Sequence, residues 1–332
     1  MHGVTLRPMK KILFVLAALA IPHTAFAHEK WFVTNHHTIE RPELFLGLNA
    51  TNIVMGILAL AAIGAAFWLD KKLENSKAIA KAHKDLDRVQ AWGIPVVRLT
   101  TGVLMFTASY IGFFFAPDLK TVFAPPVWGT ILLYAQAFIG LGLILGVVPR
   151  LMAAAGFLLY AALFVIFPPL DMLPYFVYAG IFLYLLILGD SSMPKVKGKG
   201  LVFAIFKDWL KKLEPYAFDF LRIGLAVSLI LPALLYKIIQ PEYALAFVAS
   251  HPVNFMQGLG FTQFTDAMFV LCAGLTEFIL GTLLLFGVLP RFIVAVLIFA
   301  FTVTLTMFGM FELLGHLPLY GAAYAILVGA RS

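Results

Sequence analysis

Apolar residues dominate nine stretches of this chain, near 49–69, 94–115, 128–148, 151–167, 172–189, 219–238, 267–288, 292–310 and 317–330. Most approach the roughly 20 residues that cross a bilayer as a helix. Each predicts an α-helix, because within lipid a segment must satisfy its own backbone hydrogen bonds. Proline, glycine and charged residues separate them.

A shift of 141 positions, from Gln136 to Glu277, lays one part of the chain on another. Gly140 then falls on Gly281, Gly146 on Gly287, Pro149 on Pro290 and Arg150 on Arg291. Further on, Phe167 meets Phe308, Asp171 meets Glu312, and Gly180 meets Gly321. Tandem repetition at this length predicts two similar helical bundles side by side. An even number of spans per copy makes the copies parallel and not inverted. The expected organisation is a signal peptide over 1–27 and a histidine-bearing segment over 28–48. A separate first span with a basic loop covers 49–93. Four-helix repeats follow over 94–189 and 219–332, joined by a linker over 190–218.

Composition supports an integral membrane protein: 62% of the residues are hydrophobic, 12% are charged, and mean hydropathy is +0.95. A soluble domain carries about 25% charged residues. Lys10 and Lys11 precede an apolar run over 12–20, and Ala25-Phe26-Ala27 fits signal peptidase cleavage, with Met1 or Met9 as initiator. Lys71, Lys72, Lys77, Lys81, Lys84 and Arg88 follow the first span; Lys195, Lys197, Lys199, Lys207, Lys211 and Lys212 follow the fifth. These groups share one side with Arg150, Arg291 and Arg331, which the positive-inside bias makes cytoplasmic. The expected location is a bacterial-type inner (plasma) membrane, with the mature N-terminus outside and the C-terminus cytoplasmic. The formal charge of +7 sits in loops and does not suggest nucleic acid. A stretch over 203–212, with aromatic residues and lysines, predicts an amphipathic helix on the headgroup surface.

Few polar residues interrupt the spans. Glu277 sits about ten residues into the seventh, where a carboxylate must be protonated, paired or facing water. Two readings stand: a proton-carrying or ligand-binding carboxyl, and a structural acid hydrogen-bonded to a neighbouring helix. Gln136 holds the equivalent position in the first copy. Glu312 and His316 follow the eighth span, and their i, i+4 spacing puts them on one face of a helical turn. An acid beside a histidine can relay protons, orient a tautomer or bind metal, and it can also simply tie two helices together. The first copy has Asp171 and Tyr175 there. Lys237 closes the sixth span and is expected to snorkel outward. Arg98 and Arg222 open the first helix of each repeat as interface anchors, with Asp219 placed to pair with Arg222.

Cleavage after Ala27 exposes the amine and imidazole of His28, which together chelate copper; His36, His37 or His251 could complete a copper or zinc site. The lone cysteine, Cys272, excludes an internal disulfide and a CxxC pair.

The second repeat resembles the DoxX family of four-span membrane proteins. The likeness is carried by Arg222-Ile223-Gly224-Leu225 and by Gly274-Leu275-Thr276-Glu277-Phe278-Ile279-Leu280-Gly281. Gly287-Val288-Leu289-Pro290-Arg291 and the segment 308–316 complete it. The first repeat resembles a degenerate copy, keeping Arg98 and Gly146-Val147-Val148-Pro149-Arg150 but carrying Gln136. The resemblance implies association with thiosulfate:quinone oxidoreduction or redox-stress complexes, and transfers no catalytic residue. Three expectations follow. A quinone-linked redox subunit, working with a redox partner protein, would use Glu277, Glu312 and His316. A metal-handling or transport protein would capture copper, zinc or iron at the histidines. A non-catalytic scaffold would only position partners.

Overall fold

The computed structural model describes residue 33, residues 38–189 and residues 206–329, apart from 252 and 309. The signal peptide, His28, His36 and His37 lie outside these. Among the described residues the protein is helical, with one isolated β-bridge between Phe113 and Lys120 and no strand.

Helix α1 (Ala50–Leu73) starts at a reciprocal cap, in which the Asn49 and Asn52 side chains accept each other's backbone N–H. Helix α2 (Lys77–Asp87) is short and carries Lys77, Lys81 and Lys84. The first repeat holds α3 (Gly93–Ile111), α4 (Pro126–Leu145), α5 (Pro149–Leu163) and α6 (Val177–Leu188), the last entered through a 52° bend after Pro169–Tyr175. Helix α7 (Lys207–Leu213) overlaps the predicted amphipathic stretch over 207–212. The second repeat holds α8 (Ala217–Pro232), α10 (Asp266–Phe286), α11 (Pro290–Phe308) and α12 (Met310–Gly329), with α9 (Glu242–Ser250) inserted after α8.

Every one of the nine apolar stretches therefore contains a helix. Among the described residues five helices are long and apolar enough to cross a bilayer, and the bent pair at α6 would make a sixth. Helix α5 and the start of α11 are shorter apolar helices.

The two copies repeat their turns in detail. Helices α4 and α10 both end at a glycine in left-handed geometry, Gly146 (φ 68°) and Gly287 (φ 72°), which no Cβ obstructs. Val148 (φ 38°) and Leu289 (φ 47°) then hold the same strained conformation before Pro149 and Pro290 start the next helix. Arg98 and Arg222 lie over these glycines: a Cβ would sit 2.6 Å from Arg98 Nη1 and 3.3 Å from Arg222 Nη1. The first helices correspond at a shift of 124, from Arg98 to Arg222. The difference between the two shifts, 17 residues, is the extra chain that forms α9 and the one-turn helix Phe255–Gly258.

The two copies lie side by side and meet at two seams. Helix α6 packs on α8 of the second copy, and α12 packs on α3 of the first. The eight repeat helices thus close a ring, α3-α4-α5-α6-α8-α10-α11-α12. Small residues permit close approach at the seams: a Cβ on Gly180 would lie 2.6 Å from the Phe220 carbonyl, and one on Gly321 3.2 Å from Val97 Cα. Helix α1 stands outside the ring against α10, through Phe67 on Phe286 (6.1 Å between rings) and Leu289 N–H donating to Asp70 (3.1 Å). Along α1 only Ala59 is buried.

One end of the ring, the basic end, holds Arg98, Arg150, Arg222 and Arg291. The opposite end, the arm end, carries the segment before α1 and the insert. There Val33, Ile39 and Phe45 pack against a small core of Phe247, Val253 and Phe269.

Candidate functional site

Glu277 lies on α10 about 17 Å along the axis from Asp266, near the middle of the helix. Its partner is Lys237, whose Nζ donates to Glu277 Oε2 at 2.5 Å. Lys237 is 0% exposed and Glu277 7%. The expected outward snorkelling of Lys237 is therefore overturned: the side chain folds inward along α10. Gly274, one turn from Glu277, makes room for it, since a Cβ there would lie 2.8 Å from Lys237 Cβ. An ammonium buried this way is stable only with an acid close by, and Glu277 supplies it.

The local backbone explains why a lysine near a helix end turns inward. Pro232 has no N–H to give, and the chain beyond it runs as a π-helix over Ala233–Ile239. Wider π turns rotate later side chains relative to an α-helix, and such segments concentrate at functional sites. The sequence alone misses the pair because a lysine at the end of a straight span snorkels outward. The available signal was a lysine five residues after a proline inside an apolar run.

In the first copy a neutral side chain fills the equivalent place and the backbone answers it. Gln136 Nε2 donates to the carbonyls of Met105 (3.2 Å) and Phe113 (3.2 Å) and to Ser109 Oγ (3.0 Å). Its Oε1 accepts the Phe115 N–H at 3.1 Å, and Tyr178 donates to the Phe115 carbonyl at 2.7 Å. At the shift of 124, Ser109 corresponds to Ala233 and Phe113 to Lys237. A side chain and backbone that satisfy an amide in one copy are thus replaced by a cation that satisfies an acid in the other.

Glu312 and His316 are both buried, at 1% and 2% exposure, in the first turns of α12. The sequence placed them in a turn between two spans, but the helix begins at Met310 and encloses them. His316 Nδ1 lies 3.0 Å from the Glu312 carbonyl and 3.4 Å from Glu312 Oε1, with the Phe301 ring 4.8 Å away. A carbonyl only accepts, so Nδ1 carries the proton and Nε2 is the basic nitrogen. In the first copy Tyr175 instead donates to Asp118 of the loop after α3, at 2.5 Å.

His251 closes α9 with its ring stacked on Phe247 (4.7 Å) and Nδ1 3.0 Å from Ser250 Oγ. Among the described residues no group of three or more histidine, cysteine, aspartate or glutamate side chains could hold a metal ion. His28, His36 and His37 fall outside that search.

At the basic end, Arg222 donates to the carbonyls of Leu284 and Leu285 (2.6 Å each) and to Asp219 (2.9 Å). Arg150 donates to the Ile187 carbonyl at 2.8 Å. These arginines finish helix C-termini, where a cation is favoured. Arg291 departs from its counterpart by pairing with Asp87 of α2.

No protein-family model, no curated protein and no solved structure matches this chain.

Proposed function

We propose that this chain is a DoxX-like membrane subunit of a quinone-linked redox system, with its proton-handling site in the second repeat. The reading also places the basic end in the cytoplasm of a bacterial-type inner membrane and the arm end outside. Reduction of a quinone takes up two electrons and two protons. In this reading a redox partner protein supplies the electrons, and Glu277, with Glu312 and His316, delivers protons.

One observation carries the proposal: the second copy keeps a buried lysine–glutamate pair where the first keeps a neutral, fully answered glutamine. A structural tie alone needs no ionisable groups, and an amide does that work in the first copy at lower desolvation cost. In the pair the ammonium carries the proton and the carboxylate is its base: transfer across the hydrogen bond leaves a neutral amine and a carboxylic acid, and that acid can then protonate the quinone in a water-poor interior.

Decylubiquinone serves as the probe. Native mass spectrometry of the full chain in nanodiscs is expected to retain the quinone. Thiosulfate-dependent reduction in membranes carrying the chain should fall at least about a hundredfold in Glu277→Gln, the scale of a lost general acid. Equal rates in wild type and Glu277→Gln would overturn the reading.

A further inference from the structure

We infer that Arg41, in the segment before α1, is a positioning residue for Lys237 and holds it on Glu277. The assignment rests on the reading of the Lys237–Glu277 pair as the working site. Arg41 reaches across 201 positions of sequence to Glu242, with Nε donating to Oε1 at 2.7 Å. Its Nη2 donates to the carbonyl of Ile239 at 2.9 Å. Ile239 is the last residue of the π-helix, two positions beyond Lys237, and Glu242 opens α9. One guanidinium therefore joins three parts: the arm, the end of the segment that bears Lys237, and the start of the insert.

The mechanical consequence follows from where helices fail. The last carbonyls of a helix have no partner within it, so the end frays unless something caps it. A cation there is favoured by the helix dipole. Lys237 faces a choice between the buried acid and water one turn away, and fraying of the π segment favours water. By binding the Ile239 carbonyl, Arg41 keeps the segment wound and the ammonium directed at Glu277. Glu242 fixes the guanidinium in turn, and its hydrogen bond raises the Arg41 pKa above the ordinary value. Val33, Ile39 and Phe45 of the arm press on the insert core and hold the arm in place. The arm thus reports directly to the buried pair.

The test labels the full chain in nanodiscs with a water-soluble acetylating reagent, sulfosuccinimidyl acetate, and reads Lys237 by mass spectrometry. Lys120, exposed in the loop after α3, calibrates every sample. Wild type should leave Lys237 protected, and Arg41→Ala should raise its acetylation about fivefold, the scale of one exposed ion pair and one carbonyl hydrogen bond. Arg41→Lys should restore most of the protection, and Glu277→Gln should expose Lys237 with the arm intact. Equal labelling in Arg41→Ala and wild type would overturn the assignment, as would Arg41→Lys behaving like Arg41→Ala. Lys237 staying unreactive in both Arg41→Ala and Glu277→Gln overturns it too, since the ammonium then needs neither partner. No quinone is present, so the labelling stands or falls apart from the turnover measurement.

Discussion

Gly180 and Gly224 meet backbone to backbone across the junction of the repeats: a Cβ on Gly180 would lie 3.0 Å from Gly224 Cα, and one on Gly224 2.9 Å from Gly180 Cα. Gly224→Val should therefore wedge α6 from α8. Overpacking of this kind costs about 1–3 kcal/mol, visible as a lower unfolding temperature in detergent. Gly56→Ala on α1, where nothing lies within 4 Å of the added atom, is the control and should not lower that temperature, since alanine is the better helix former.

Lys237→Met leaves the Glu277 carboxyl buried without its ammonium. Breaking a buried pair from one side costs about 3–5 kcal/mol, while replacing both partners by apolar groups approaches neutrality. The double variant Lys237→Met, Glu277→Leu should therefore be more stable than Lys237→Met alone. Unfolding of the single and double variants measures the coupling; additive losses would show that the two side chains do not depend on each other.

Gln136→Leu removes one acceptor and one donor at a crossing of α3, α4 and the loop after α3. It strands the Phe115 N–H and the Phe113 carbonyl, while the Met105 carbonyl keeps its hydrogen bond from Ser109 Oγ. A loss of about 1–3 kcal/mol per stranded group is the scale to expect. Quinone turnover per folded molecule should be unchanged, because the proposed chemistry belongs to the second copy.

His83 on α2 links stability to pH at the basic end. Burial lowers its pKa from the ordinary 6.5, Arg291 lowers it further, and Asp87 partly opposes this. A depressed value means the docked helix prefers the neutral ring. That contribution is complete above the ordinary imidazole range and is lost as pH falls through the depressed value. Hydrogen exchange over residues 77–87, corrected for its intrinsic pH dependence, should accelerate on acidification below about 6.5. His83→Gln should flatten the dependence. An unchanged slope in that variant would assign the response elsewhere.

The legible part of this protein was its one-dimensional periodicity. Nine apolar stretches marked nine helical positions, and the shift of 141 brought together Gly146 with Gly287 and Pro149 with Pro290, which form the same turns. The candidate acids were visible because a charge inside an apolar run is conspicuous. Lys237 was visible too, but its direction was not. A lysine near a helix end normally snorkels, and only Pro232, the π turn after it and the gap at Gly274 reverse that.

What the sequence by itself determined is one-dimensional: apolar length and helix ends, written within about twenty consecutive residues, and the correspondence of the copies, written in the recurrence of those stretches at a shift of 141. Which copy's first helix receives each fourth helix was decided only in three dimensions. Both copies present similar apolar faces, so hydropathy cannot choose between them. The choice lies in backbone approaches such as Gly180 to Gly224, residues far apart in the chain. The Lys237–Glu277 and Arg41–Glu242 pairs are likewise tertiary, because a charge takes the nearest counter-charge in space, whatever the separation along the chain.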